Sequence, residues 1–433
     1  MDDPELQELI RKETDHYLGV VDLIAAHNAP TRYVRSNDDW GVGQFRSAEG
    51  LVGHRPYAGT YYFDAIESLA IQRACSLFHA EHCNVQPVSG SMANMAVYRA
   101  LLNTGDIILS LSMKSGGHLT HGHQNHFVRQ LYRVSHYEVD PESYLLDYDR
   151  IRELAIKVQP KLIITGYSAY PRAIDFHRFK EIGDEVGAYV MADISHIAGL
   201  VATGLHMNPC ESGLIVTSSV EKTLRGTRGG FVLCPRAFAK KIDSGVFPGL
   251  QSSIGLDSLI TKARLFLEAQ TPEFHAYQRS VMLNAKLMAE VFAARGISVL
   301  TGGTDTHMVI LNVKRSGLSG REAEKRLEQV GILSNRNMIP FDPLPPFEAS
   351  GLRLGTAPVT ARGYETHEIQ SLTEWIADVI LLKEWSDATI SDFRGRVARL
   401  VNRVRERDSL QDLTQRDSFT RVEQPARGSA VST

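Results

Sequence analysis

Three stretches of the chain carry residue types that together could do one kind of chemistry. The first holds Lys222, in Thr217-Ser218-Ser219-Val220-Glu221-Lys222-Thr223-Leu224-Arg225-Gly226. A lysine just past a buried strand loses solvation, which lowers its pKa and frees the amine to condense with a carbonyl. The bland alternative, a lone surface lysine, is opposed by the hydroxyls before it and the Gly/Arg-rich loop after it. The second stretch ends in Asp193, which closes the run Ala188-Tyr189-Val190-Met191-Ala192. A carboxylate there can keep a pyridine nitrogen protonated, or simply cap the next helix. His196, three residues on, suits a phenolic oxygen or a purely structural role. The third is Ser89-Gly90-Ser91, which follows Val85-Gln86-Pro87-Val88 and opens a helical pattern. Small residues at a helix start let backbone N–H groups reach a phosphate, and the helix dipole favours the anion. Each piece alone is weak. In this order they point to pyridoxal 5′-phosphate and to reactions at Cα and Cβ of an amino acid.

Such residues need a scaffold that brings strand ends together. Short apolar runs at 106–111, 161–165, 188–192, 213–217 and 230–234 alternate with helical patterns, which predicts an α/β fold built on a mainly parallel sheet. After Pro248 the texture changes. A long helical stretch over 272–295, an apolar run at 308–313, a helix over 321–330 and a short run at 352–354 predict a smaller α+β domain. The expected partition is an N-terminal helical arm over 1–40, a cofactor-binding large domain over 41–275, a small domain over 276–390, and a basic helix with a disordered tail over 391–433. The arm's helix is expected from Glu5 to about Ala25, and the Gly- and Tyr-rich stretch over 41–62 as a functional loop. In the tail, Phe393, Val397, Leu400, Val401 and Val404 share one helical face amid arginines. That predicts a helix docked on its own protein in preference to one touching RNA.

Composition narrows the classes. The 433 residues are 43% hydrophobic and 22% charged, ordinary for a globular chain long enough for more than one core. A formal charge of −3 gives no electrostatic reason to expect nucleic acid or an anionic membrane as partner. No apolar run is long enough to cross a bilayer, and the acidic start Met1-Asp2-Asp3-Pro4-Glu5 is unlike a signal peptide. The cysteines Cys75, Cys83, Cys210 and Cys234 are scattered, against a disulfide framework or zinc ribbon, so a reducing, cytoplasmic setting is expected. His118, His121, His123 and His126 are close enough to suggest a metal, but no acidic or cysteine cluster stands beside them in sequence. No metal is expected.

The same stretches carry a wider resemblance. Asn84-Val85-Gln86-Pro87, Ser89-Gly90-Ser91, Gly116-Gly117-His118-Leu119-Thr120-His121-Gly122, Ser168-Ala169-Tyr170-Pro171, His196-Ile197-Ala198-Gly199-Leu200, Lys222-Thr223-Leu224-Arg225-Gly226, Phe247-Pro248-Gly249 and Arg353-Leu354-Gly355-Thr356 stand in this order. The chain resembles serine hydroxymethyltransferases, fold-type-I pyridoxal-phosphate enzymes, from about Asp22 to Ala377. The resemblance implies that Lys222 carries the cofactor, Asp193 partners its pyridinium, and His118 stacks on its ring. Ser89, Gly90 and Ser91, with Ser219, Ser252 and Ser253, would hold the phosphate; Ser168 and His196 would lie near the phenolic oxygen. Arg353 would bind the substrate carboxylate, and Glu49 and Tyr57 would act across a homodimer interface.

Several positions leave that pattern. Ala26-His27-Asn28 stands for the family's Ser-Glu-Asn, Ser47 and Pro56 for tyrosines, Ser195 for an alanine, and Ser252-Ser253 for a Gly-Gly pair. Asn337, a position associated with tetrahydrofolate, matches, so the signal for folate is mixed and leans against it. Glu221 and Asp257 each replace a histidine. Buried carboxylates call for cations, so the pair suits a substrate with an ammonium or guanidinium group; pairing with Arg225 or Arg228 is the plain alternative. The first expectation is retro-aldol/aldol chemistry on a β-hydroxy amino acid by a specialised enzyme, with Glu49, Tyr57 or His118 moving protons. The alternative is β-elimination, replacement or cyclisation of a hydroxylated basic amino acid, with Glu221 and Asp257 at the site. A non-catalytic relative is disfavoured by the joint presence of Lys222, Asp193, Glu49 and Arg353.

Overall fold

A computed structural model describes residues 3–35 and 46–419. Its centre is a seven-stranded sheet in the order His82–Asn84, Gly230–Cys234, Ile215–Ser219, Tyr189–Asp193, Leu162–Thr165, Ile107–Leu111, Arg133–Tyr137. Adjacent strands from Ile215–Ser219 through Arg133–Tyr137 pair in parallel, while Gly230–Cys234 runs antiparallel to both its neighbours. These strands read as unbroken apolar runs because both faces are covered. Ile108, Leu162, Ile164, Met191, Ile215 and Val232 pack on one side. Leu109, Ile163, Val190, Ala192, Val216 and Phe231 pack on the other. All five expected runs are strands.

A second core surrounds a four-stranded antiparallel sheet, in the order Ser298–Val299, Met308–Asn312, Gly351–Gly355, Asn335–Asn337. The helix Pro272–Ala294 connects the two cores without a break: Phe274 belongs to the first, and Ala285, Met288 and Phe292 to the second. The division expected between residues 275 and 276 therefore falls inside one helix.

Three local expectations change. The first helix spans Pro4–Leu18 and stops at Gly19, short of Ala25. The β-branched pair Val20-Val21 then favours extension, and Val21–Asp22 pairs in parallel with Ile332–Leu333. Within the expected loop, Ser47–Glu49 is a strand antiparallel to Ser253–Gly255, and a helix starts at Tyr61; residues 41–45 lie outside the described residues. The basic helix spans Asp387–Phe419, so the disordered tail expected beyond Asp408 is helical as far as Phe419; residues 420–433 lie outside the described residues. Phe393, Val397, Leu400, Val401 and Val404 are buried in the second core, and Arg407 pairs with Glu365 and Glu368. Among the described residues, no helix is long and apolar enough to cross a membrane.

Candidate active site

Where the parallel strands end, a cavity of about 410 Å³ opens, the usual place for a ligand in such a sheet. Its wall includes Ser89, Gly90, Ser91, His118, Ser168, Asp193, His196, Ser219, Glu221 and Lys222, ten residues singled out from the sequence.

Asp193 ends its strand fully enclosed by donors. Its Oδ2 accepts from Asn94 Nδ2 (2.8 Å) and faces His121 Nε2 (3.1 Å). Its Oδ1 accepts from the Ser195 hydroxyl (2.5 Å) and the Ser195 backbone N–H (3.1 Å). Burial alone would raise this carboxyl. The hydrogen bond with His121 and the charges of His121, His118 and Lys222 outweigh it, holding the group well below the usual carboxylate range. Asn94 is fixed in turn by Thr217 (2.6 Å) and Thr120 (2.9 Å). The result is a permanent negative charge at one end of a buried slot.

Lys222 follows the strand Ile215–Ser219 in a tight turn. It has φ +46°, and Arg225 has φ +70°; both are costly for side-chain-bearing residues and persist only when the surroundings impose them. Here the surroundings do. The Lys222 carbonyl accepts from Asn28 Nδ2 (2.6 Å), Thr223 donates to the His196 carbonyl (2.8 Å), and Gln278 donates to the Thr223 carbonyl (2.6 Å). The helix Ala198–Ala202 lies so close that a Cβ on Gly199 would overlap Gln278 and the Thr223 carbonyl. Burial, reinforced by repulsion from Arg353 and opposed by attraction to Asp193 and Glu221, lowers the pKa of the Lys222 amine.

The remaining walls are sorted by chemistry. Ser89 caps the helix Gly90–Leu101, its Oγ accepting from Met92 N (3.2 Å). A Cβ on Gly90 would lie 3.1 Å from Ser195 Oγ and from Ser219 N, a tight fit that glycine relieves where this turn seats against the strand end. The Ser219 hydroxyl is buried with no partner. Beneath the turn lies Lys262, buried, donating to the carbonyls of Val85 (2.5 Å) and Pro87 (3.0 Å); burial pushes its amine down to about 8. His118 is pushed down to about 4, first by burial and then by the charge of His121. His196 stacks on His307 with ring centroids 5.6 Å apart.

Other expected residues stand apart from this cavity within one chain. Arg353 lies behind it, Nη1 donating to the Ser168 carbonyl (2.5 Å) and Nε to Asn335 (3.2 Å). Glu49 is in the strand paired with Ser253, Tyr57 is 46% exposed, and Ser252 and Asp257 are exposed. Glu221 does line the cavity. Its Oε1 lies 4.0 Å from the exposed Arg228, its Oε2 is buried without a partner, and Arg225 is taken up by the Ala29 carbonyl (2.8 Å) and the Tyr277 ring. Sequence reasoning missed Asn94, His121, Lys262, His307, Tyr17 and His27. His121 was visible as a histidine, but its partner Asp193 is remote in sequence; together with His118 their ligand atoms lie within 4.8 Å of one another, an acid beside the histidines that spacing does not reveal.

The fit to pyridoxal phosphate is chemical. A fixed carboxylate suits a pyridinium, a depressed buried amine suits an aldehyde, and a glycine-lined helix start beside an orphan hydroxyl suits a phosphate.

Comparison with known proteins gives the family. A family model described as serine hydroxymethyltransferase matches residues 1–376. A serine hydroxymethyltransferase from Coprothermobacter proteolyticus is 45% identical over 401 residues, which cover 93% of this chain and 96% of that protein.

Proposed function

The chain belongs to the serine hydroxymethyltransferase family, and from that premise we propose that it makes and breaks the Cα–Cβ bond of a β-hydroxy-α-amino acid by retro-aldol and aldol chemistry. It is a pyridoxal-phosphate-dependent enzyme, in a family that usually also uses tetrahydrofolate. When bound, the cofactor takes up the electron pair left on Cα. The residues of the chain do the rest. Lys222 would hold the cofactor through its amine, whose pKa burial lowers, and would move protons to and from the reacting amino group. Asp193, held as a carboxylate, would partner the ring nitrogen, and His118, uncharged at neutral pH, would stack on the ring. Ser89, Gly90, Ser91 and Ser219, with Ser252 and Ser253, take the phosphate; Ser168 and His196 attend the phenolic oxygen. Arg353 takes the substrate carboxylate.

Glu49 and Tyr57 move the proton of the β-hydroxyl. Neither lines the cavity of its own chain, which supports their serving the partner's cavity in a homodimer. The observation that carries the reading is the buried, strained Lys222 turn on the same cavity as the enclosed Asp193. The substituted positions Pro56, Ser195 and Ser252-Ser253 support a specialised, folate-independent member, and the four free cysteines suit a cytoplasmic setting.

The test is incubation with L-serine, L-threonine and hydroxylated basic amino acids, with and without tetrahydrofolate. Glycine should form from a β-hydroxy amino acid in both conditions, and Lys222→Ala should lower turnover by roughly 10³-fold or more. Robust turnover by that variant would refute the assignment. A second reading, elimination or cyclisation of a cationic substrate, is favoured by the unpartnered Glu221 Oε2. A product retaining the full carbon skeleton would decide for it.

A further inference from the structure

The cavity also takes Tyr17, Ala26, His27 and Asn28 from the N-terminal segment. His27 Nδ1 lies 3.0 Å from Asp22 Oδ2. Asp22 is fully buried, and its other oxygen accepts from Ile24 N (2.9 Å). A carboxylate only accepts, so Nδ1 carries a proton and the ring is fixed. Nε2 is then the edge left over; it makes no hydrogen bond among the described residues, and the side chain is 49% exposed. The side chain of Ala26 beside it offers no donor. Arg353 has the complementary shortage: Nη1 and Nε are taken by Ser168 and Asn335, leaving Nη2. The charge of Arg353 reaches His27, and Asp22 is the acid that pairs with it.

Resting on the reading of this cavity as an amino-acid site, we propose that His27 is a substrate-binding residue that shares the carboxylate of the amino acid with Arg353, and that Asp22 positions it. The requirement is strict. A neutral His27 keeps its single proton on Nδ1 for Asp22 and turns a lone pair toward the carboxylate. Only the imidazolium donates from both nitrogens. The hydrogen bond with Asp22 raises the pKa of His27 against burial and the charge of Arg353. The other titratable or charged groups lining the cavity are Tyr17, His118, Tyr167, Asp193, His196, Glu221, Lys222 and Arg228, and the Lys222 amine is itself lowered by burial. The sign follows: affinity for the carboxylate is full while His27 is protonated, and is lost as pH rises through its raised pKa.

The test titrates the cofactor-loaded protein with glycine between about pH 6 and pH 9, reading the dissociation constant from the absorbance change. In parallel, NMR follows the His27 ring in the cofactor-free protein. The wild type should bind about tenfold more weakly above the ionisation than below it. His27→Gln should be about tenfold weaker at low pH and lack that step. His27→Arg should restore binding and keep it at high pH, and Asp22→Asn should move both the step and the NMR titration to lower pH. His27→Gln with wild-type affinity and an unchanged step would overturn the proposal even if Asp22→Asn does not fold. Failure of the wild type to bind glycine at any pH would instead remove the amino-acid reading beneath it.

Discussion

The cavity has two unlike halves. At the sheet end, Asp193, Asn94, Thr217, Thr120, His121 and Ser195 bond to one another, and each oxygen of Asp193 meets two of these contacts. At the mouth, Glu221 Oε2 and His27 Nε2 have no partner, and Arg228 is 81% exposed. Glu221 Oε2, buried and left open, loses hydration without compensation, which costs about 1–3 kcal/mol, whereas the half-exposed His27 ring keeps access to water. A site keeps such groups only where something else completes them. The closed half holds a group that stays; the open half meets one that comes and goes.

Breaking the closed half should have the largest effect. Asp193→Asn removes a charge that four donors have been arranged around, and kcat should fall by about 10³-fold or more with weaker cofactor retention. Turnover within tenfold of wild type would show that the enclosed carboxylate is only architecture. Changing the open half should leave the cofactor bound and move selectivity. For Glu221→Gln, kcat/KM for a hydroxylated basic amino acid relative to L-serine should drop about tenfold; an unchanged ratio would assign Glu221 to local structure. The smallest effect is on stability. His118 and His307 are held down to about 4 and about 3 by burial, from an ordinary value of 6.5. The unfolded chain therefore binds more protons than the folded one between those limits, and stability falls as pH falls through that window. A Tm series on the cofactor-free protein should show this slope, and His118→Asn should make it shallower. An equal slope in that variant would mean that His118 is not held neutral by its burial.

What was legible follows the same division. The closed half is built from strand ends, and each strand announces itself as an apolar run, so Asp193, Ser219 and Lys222 could be placed from local pattern. Their partners could not. Asn94 and His121 reach Asp193 across 99 and 72 residues, and nothing local in a helical asparagine or a loop histidine marks such a contact. Lys262 reads as an ordinary helical residue until its position under the Val85 and Pro87 carbonyls is seen. The first helix was read as too long because its mixed pattern continues past Gly19, where the later strand Ile332–Leu333 captures the chain. Glu221 and Asp257, alike as replacements in the sequence, part company in space: one lines the cavity and the other is exposed.

That captured strand also orders events during synthesis. Val21 and Leu23 bond to Gly331 and Leu333, and Gly355 bonds back to Leu23. The segment that carries Asp22, Ala26 and His27 thus leaves the ribosome well before the strands that seat it. Until then the pocket lacks the wall that receives an amino acid. A nascent chain can shape its phosphate turn and lysine early, yet it gains a complete substrate site only after residues 331–355 have emerged.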